Sequence, residues 1–333
     1  MINVGKVLYI NNDGYYLHTE NKGVVVREDK KLIARIPIEN LSQIVIFGNT
    51  GISNYFINFC AECNVLVTYI SKYGHYYGRV QGKNVGNVLL RQAQYALLHD
   101  GKELDLVKNI LLGKCLNSVA FMQKYNKDNS VNDSIHEIKS YFSNISECDD
   151  KASIRGYEGL ISKIYFGCFD SIIKVDDMKF IQRSKRPPLN ECNSLLSFFY
   201  TLLTNDCISA LETFGLDSYL GFMHSLRPGK HALALNLIEE FRSCVVDRFV
   251  IELINEGCVS SNDFLKDQQG IRLNDDARKN VLTKWEKYKS EKVNYELYNQ
   301  EIPLRIVPYL QAQLLAQYIR GDIVEYPPFV MNY

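Results

Sequence analysis

Long apolar runs are missing from this 333-residue chain. No stretch reaches the roughly 18 residues that a membrane-crossing helix needs, which excludes a helical membrane protein. Net charge is missing as well: 38 Lys and Arg stand against 38 Asp and Glu. No global field therefore draws in nucleic acid, and any phosphate contact must come from local basic clusters. Zinc-type cysteine spacing is also lacking. The nine cysteines are scattered from Cys60 to Cys258, and only Cys60-Ala61-Glu62-Cys63 forms a close pair, with no second pair or His-x-x-x-His partner. They are expected to be buried, reduced thiols acting as small hydrophobes, as in a reducing cytoplasm. Met1 to Lys6 runs straight into a strand-like pattern without the features of a secretory signal, so a cytoplasmic protein is expected. Internal repeats and low-complexity tracts are absent too.

What is present is an ordinary globular composition, 46% hydrophobic and 23% charged, with length enough for two cores. The first stretch reads as short strands: 6–10, 15–18, 23–27, 32–36, 43–47 and 65–70, with a hairpin turn expected at Asn11-Asn12-Asp13-Gly14. Tyr55, Phe56, Phe59 and Cys60 have helical spacing, so one short helix interrupts the strands. From Val88 the period changes, and Leu89, Leu90, Ala93, Leu97 and Leu98 begin a series of amphipathic helices that continues almost to the end. Residues 127–147 are largely polar and read as a loop or a loosely packed surface helix. Breaks at 183–193, 226–230, 257–263 and 321–328 separate further helices. The expected class is α+β: a small β-rich domain over 1–87, then a larger all-α catalytic domain over 88–333.

Three polar side chains stand in apolar company. Residues 154, 157, 160, 161, 164, 165 and 168 are spaced as the buried face of a helix, and Glu158 lies on it. A carboxylate held against a core needs a neutralising partner. Gly156 and Gly159 beside it lower helix propensity, which suggests close approach by a backbone or a ligand. The alternative is a Glu at the edge of the stripe, paired with Arg155 or Lys163. His224 follows the apolar run Gly221-Phe222-Met223 and precedes a Pro-Gly turn, where a histidine could equally cap or fill. On the helix expected from about His231, Asn236, Glu240, Ser243 and Asp247 form a polar stripe, with Glu239 at its border. Asn236 and Glu239 are one turn apart and can serve one site. Helical carboxylates with a loop histidine suit a hard metal or zinc, although a solvated helix face is the first reading of these residues alone.

Gly156-Tyr157-Glu158-Gly159, Gly221-Phe222-Met223-His224 and Leu235-Asn236-Leu237-Ile238-Glu239-Glu240-Phe241-Arg242 resemble, in order and separation, the three catalytic segments of the CRISPR adaptation integrase/endonuclease family. The resemblance extends to Leu89–Tyr95, to Arg186-Pro187-Pro188 with Asn193–Phe198, and to the tail from Gln311-Ala312 to Asp322, so it spans the chain. It is nearest the type I subtype C branch. By this resemblance Glu158, His224 and Glu239 are metal ligands for Mg²⁺ or Mn²⁺ and form the catalytic triad. Asn236 stands where many members carry aspartate, and is expected to orient a water or a phosphate. The resemblance implies joining of the 3′-hydroxyl ends of captured double-stranded DNA to a repeat, hydrolysis of branched DNA, a homodimer, and a small adaptation subunit bridging two dimers. Arg183, Lys185, Arg186, Arg227, Lys230, His231 and Arg242 are the candidate DNA contacts. Two rivals share the pattern: a nuclease of branched DNA in repair, and an inactive DNA-binding scaffold.

Overall fold

A computed structural model describes residues 5–71, 76–80, 82, 87–126, 129–185 and 187–332. It divides into two units, Met1–Val85 with Arg272–Ser290, and Gly86–Ile271 with Glu291–Tyr333. This differs from a single cut after residue 87, because the helix Asp275–Tyr288 joins the first unit. Tyr9 Oη donates to Glu286 Oε1 at 3.3 Å, Asn11 Nδ2 donates to the Asp275 carbonyl at 3.0 Å, and the Arg278 guanidinium lies 5.4 Å from the Phe47 ring centre.

The first unit holds β1 (Lys6–Ile10), β2 (Tyr15–Glu20), β3 (Gly23–Glu28), β4 (Lys31–Pro37), β5 (Leu41–Phe47), β6 (Gly51–Ile52), α1 (Asn54–Glu62), β7 (Leu66–Ile70) and β8 (Tyr76–Val80). These form two four-stranded sheets, ordered β1-β5-β7-β8 and β4-β3-β2-β6. Val, Ile and Leu facing inward from both sheets, among them Leu17, Val24, Val26, Ile44, Ile46 and Val67, bury a common core with Phe56 and Cys60 of α1. The expected hairpin at residues 11–14 is not one. β1 pairs in parallel with β5 whereas β2 pairs antiparallel with β3, so the turn carries the chain from one sheet to the other. Asn21-Lys22, both at positive φ, does close a hairpin, as the tight β2–β3 connection demands.

The second unit is mainly helical: α2 (Val88–Ala96), α3 (Lys102–Tyr125), α4 (Asn132–Glu147), α5 (Lys151–Gly167), α6 (Phe169–Ile172), α7 (Glu191–Thr213), α8 (Ala232–Leu237), α9 (Arg248–Asn255) and a last helix Val307–Arg320. α4 is a regular helix that buries Ile135, Ile138 and Ile145, so the polar stretch read there as a loop or loose surface helix carries a packed stripe. The run was not helical throughout: Phe264–Asp267 pairs with Gly270–Leu273, and Lys292–Tyr295 with Gln300–Pro303, as two short hairpins. Between α8 and α9 the chain tightens to a 3₁₀ turn at Ile238–Phe241, then widens to a π-helix at Arg242–Asp247. Such departures concentrate where side chains must be aimed off the 3.6-residue period. Among the described residues, no helix is long and apolar enough to cross a membrane. All nine cysteines are free and seven are buried, Cys63 and Cys258 being the others. Burial pushes the Cys60 and Cys115 thiols up to about 12, which keeps them protonated and unreactive.

Candidate functional site

Four segments of the helical unit bring charge together. α5 starts at Asp150, whose carboxylate caps the backbone N–H groups of Ala152 and Ser153 at 2.7 and 3.0 Å. Ile154, Ile161 and Tyr165 then bury one face, and this fixes Glu158 at the border of that face. Its partner is neither Arg155 nor Lys163. Lys114 of α3, a residue the sequence had not singled out, donates from Nζ to Glu158 Oε1, and to Ser162 Oγ at 3.1 Å. The Ser162 hydroxyl donates to the same Glu158 oxygen at 2.9 Å. A Cβ added at Gly156 or Gly159 would meet nothing within 4 Å, so no other backbone presses on those glycines.

Lys114 also lies 2.8 Å from Glu239 Oε2, in the 3₁₀ turn after α8. Glu239 is 3% exposed. Its other oxygen accepts from Arg242 Nε at 2.9 Å and stands 3.8 Å from His224 Nε2. Burial by itself would raise the Glu239 carboxyl, but Arg242 and Lys114 outweigh it and hold it down, at about 2. Burial works in the same direction on Glu158, and there too Lys114 prevails and lowers it. Burial pushes the His224 imidazole below its ordinary value, so it is neutral at pH 7.

His224 is held by Asn236, which is fully buried on α8. Asn236 Oδ1 accepts from the backbone N–H groups of Phe222 and Met223 at 2.8 and 3.2 Å, and its Nδ2 lies 2.7 Å from His224 Nδ1. Two backbone donors fix which end of the amide faces them, so an N–H must face the imidazole. Neutral His224 therefore accepts at Nδ1 and carries its proton on Nε2. The loop comes this close because Gly221 has no side chain: a Cβ there would sit 2.6 Å from the Ala232 carbonyl carbon and 2.7 Å from Asn236 Oδ1. From the other side Gln94 grips the same loop, donating to the Asp217 and Leu220 carbonyls at 2.9 and 3.0 Å and accepting from Asp217 N at 2.9 Å. The Gln-Ala-Gln segment of α2 thus serves to place His224.

The polar stripe is not solvated. Glu240 and Asp247 are both fully buried, and each is satisfied by distant parts of the chain. Glu240 accepts from Tyr326 Oη at 2.6 Å, Gln311 Nε2 at 2.9 Å and Phe329 N at 2.7 Å, which ties the C-terminal tail to the core. Burial pushes its carboxyl up to about 7. Asp247 accepts from Tyr165 Oη at 2.8 Å and from Tyr200 Oη. Asn117, one turn after Lys114, donates to the Glu240 and Phe329 carbonyls, each at 2.8 Å. α3 therefore holds the 3₁₀ turn both by side chain and by backbone.

The basic candidates separate. Arg227 and Lys185 are exposed and Lys230 is half-buried. Arg242 is committed to Glu239 and stacks over Tyr200 at 4.5 Å. Arg183 donates to Asn193 Oδ1 at 2.7 Å and Ser197 Oγ at 3.2 Å, both on α7. His231 is buried, with Nδ1 2.8 Å from Ser218 Oγ and its ring stacked on Tyr219. Arg186 lies outside the described residues.

Two carboxylates and an imidazole are the donor chemistry of a hard-cation site, and Glu239 Oε2 is buried against the Lys114 ammonium at 2.8 Å. The residues fit a divalent cation in kind. They are not gathered into a ready cage: among the described residues, no three His, Cys, Asp or Glu side chains stand close enough to hold one. The ammonium of Lys114 stands between the two carboxylates.

A β-rich unit followed by a helical unit with this acidic, histidine-edged centre defines the class of protein. Residues 8–287 match the family described as CRISPR associated protein Cas1. The CRISPR-associated endonuclease Cas1 1 of Chlorobaculum tepidum is 37% identical over 334 residues, covering 97% of each chain. The solved Cas1 protein of Thermotoga maritima superposes with a TM-score of 0.84 at 21% identity, covering 98% of this chain and 99% of that one. A casposase bound to its integration product gives 0.83 at 23% identity, covering 97% and 93%. At these identities both structural likenesses concern the fold. The chain belongs to the CRISPR-associated Cas1 family.

Proposed function

We propose that this chain is the integrase/endonuclease of CRISPR adaptation and acts by metal-dependent strand transfer, with Glu158, His224 and Glu239 as the metal ligands. The observation that carries this reading is the meeting of Glu158 and Glu239 at one point, with His224 Nε2 turned to the same carboxylate. In the reaction a 3′-hydroxyl of a captured duplex attacks a phosphodiester at the repeat edge. A new P–O bond forms, the old one breaks, and the displaced strand leaves with a 3′-hydroxyl. A bound Mg²⁺ or Mn²⁺ would neutralise the scissile phosphate and the charge growing on the leaving oxygen. Arg242 fixes the rotamer of Glu239, and Asn236 holds the ring of His224 while no metal is bound. Water in place of the hydroxyl gives hydrolysis of branched DNA. The working assembly is a homodimer, paired through the small adaptation subunit, in the cytoplasm.

The test is an integration assay with purified protein, the small subunit, Mn²⁺ and a supercoiled repeat plasmid. Joined products are expected, and EDTA is expected to stop their formation. Joining that survives EDTA removes the metal from the reading. Cleavage of branched DNA without any joining turns it toward a repair nuclease.

DNA affinity is expected to fall steeply with salt although the net charge is zero, because Lys185, Arg227 and Lys230 act as a local cluster. Reversing Arg227 and Lys230 together should reduce the slope of log affinity against log salt by roughly two, about one for each lost phosphate contact. A slope identical to wild type would remove both residues from the DNA surface.

A further inference from the structure

Lys114 is 7% exposed, and its ammonium reaches Glu158 Oε1, Ser162 Oγ at 3.1 Å and Glu239 Oε2 at 2.8 Å. A buried ammonium is tolerable only with such partners, and the buried carboxylate of Glu239 sits beside the half-buried one of Glu158 with that cation between them. With Arg242 on Glu239 as well, two negative and two positive side chains cancel. The centre is already neutral with nothing bound. A divalent cation bridging Glu158 and Glu239 would need the oxygens that Lys114 now holds, and would leave the centre with two excess positive charges.

We propose that Lys114 is the resident counter-ion of the two carboxylates and competes with a divalent cation for them. Metal uptake then requires its ammonium to withdraw and is favoured by the arrival of a DNA phosphate, whose negative charge offsets the excess and offers the ammonium a new partner. The proposal rests on the metal-site reading of Glu158 and Glu239. It makes Lys114 a positioning residue that keeps the site shut to metal until DNA is present, and so limits unguided hydrolysis.

The experiment is Mn²⁺ binding to the full-length protein without DNA, by calorimetry, for wild type, Lys114→Met, Lys114→Arg and Glu239→Gln. Lys114→Met should bind at least about tenfold more tightly than wild type, since a neighbouring unit charge at an effective dielectric of about 20 is worth more than that. Lys114→Arg, which keeps the charge, should remain weak. A short DNA duplex should tighten Mn²⁺ binding by wild type far more than by Lys114→Met. Should Lys114→Met not fold, wild type alone answers. Saturating Mg²⁺ is expected to raise the rate at which an acetylating reagent modifies Lys114, read by mass spectrometry. Equal or weaker binding by a folded Lys114→Met, with binding still lost in Glu239→Gln, overturns the proposal and leaves the metal site standing. So does an acetylation rate unmoved by Mg²⁺ that is bound at a Glu239-dependent site. Binding that ignores Glu239→Gln overturns the metal-site reading and the proposal together.

Discussion

Glu239→Gln and Glu158→Gln should each lower strand transfer by on the order of a thousandfold or more, the loss expected when several kcal/mol of charge stabilisation disappears from the transition state. Their effects on stability should differ. Glu239 is enclosed between Lys114, Arg242 and His224, and neutralising it takes the carboxylate from Arg242 and leaves the buried Lys114 with Glu158 alone. Breaking a buried pair in this way costs about 3 kcal/mol or more. Glu158 has a side chain 29% exposed and serves one ammonium only. Its neutralisation should change stability little, as Lys114 keeps Glu239. Integration rates and urea unfolding of the same preparations separate the two contributions. An active Glu158→Gln would take that carboxylate out of the reaction. An inactive Glu158→Gln of wild-type stability ties the loss to chemistry and not to folding.

The difference between what could and could not be read in the sequence follows from where each residue's partners lie. The strands of the first unit were legible because period-2 alternation of Val, Ile and Leu is local. Their pairing was not. A short turn such as residues 11–14 looks the same whether it closes a hairpin or leads to another sheet, and only the parallel partner β5 decides. The hairpins at 264–273 and 292–303 escaped notice because four-residue strands of mixed polarity carry too little pattern. Glu158, His224 and Glu239 were found by resemblance to a family, while the residues alone left a solvated face open. What buries Glu240 and Asp247 lies far away, at Gln311, Tyr326 and Phe329 for one and at Tyr165 and Tyr200 for the other. Lys114 did leave a local signal. It stands at i+4 from Ile110 and i+3 from Leu111, on the buried face of α3, and a lysine in that position requires a buried anion.

Asn236→Asp is expected to lower the Mn²⁺ concentration that half-saturates integration by about tenfold, the lower end of what a residue orienting a metal-ligating histidine is worth. Asn236 was expected to orient a water or a phosphate, but its amide is spent on the Phe222 and Met223 N–H groups and on His224 Nδ1. An amide N–H facing Nδ1 puts the imidazole proton on Nε2, the nitrogen nearest Glu239. A protonated nitrogen has no lone pair to give a cation, so in this chain His224 can ligate through Nε2 only after its contact with Asn236 is broken. Aspartate reverses the arrangement. One carboxylate oxygen still accepts the two backbone N–H groups, the other accepts from Nδ1–H, and the lone pair moves to Nε2. Wild type should accordingly be active but need more metal, and Asn236→Asp should relieve that need without a large change in rate at saturation. Nitrogen chemical shifts of His224 in the two proteins report the tautomer directly, and a metal titration of integration reports its consequence. The same tautomer in both, with the same half-saturating Mn²⁺, would show that His224 is oriented by something other than residue 236.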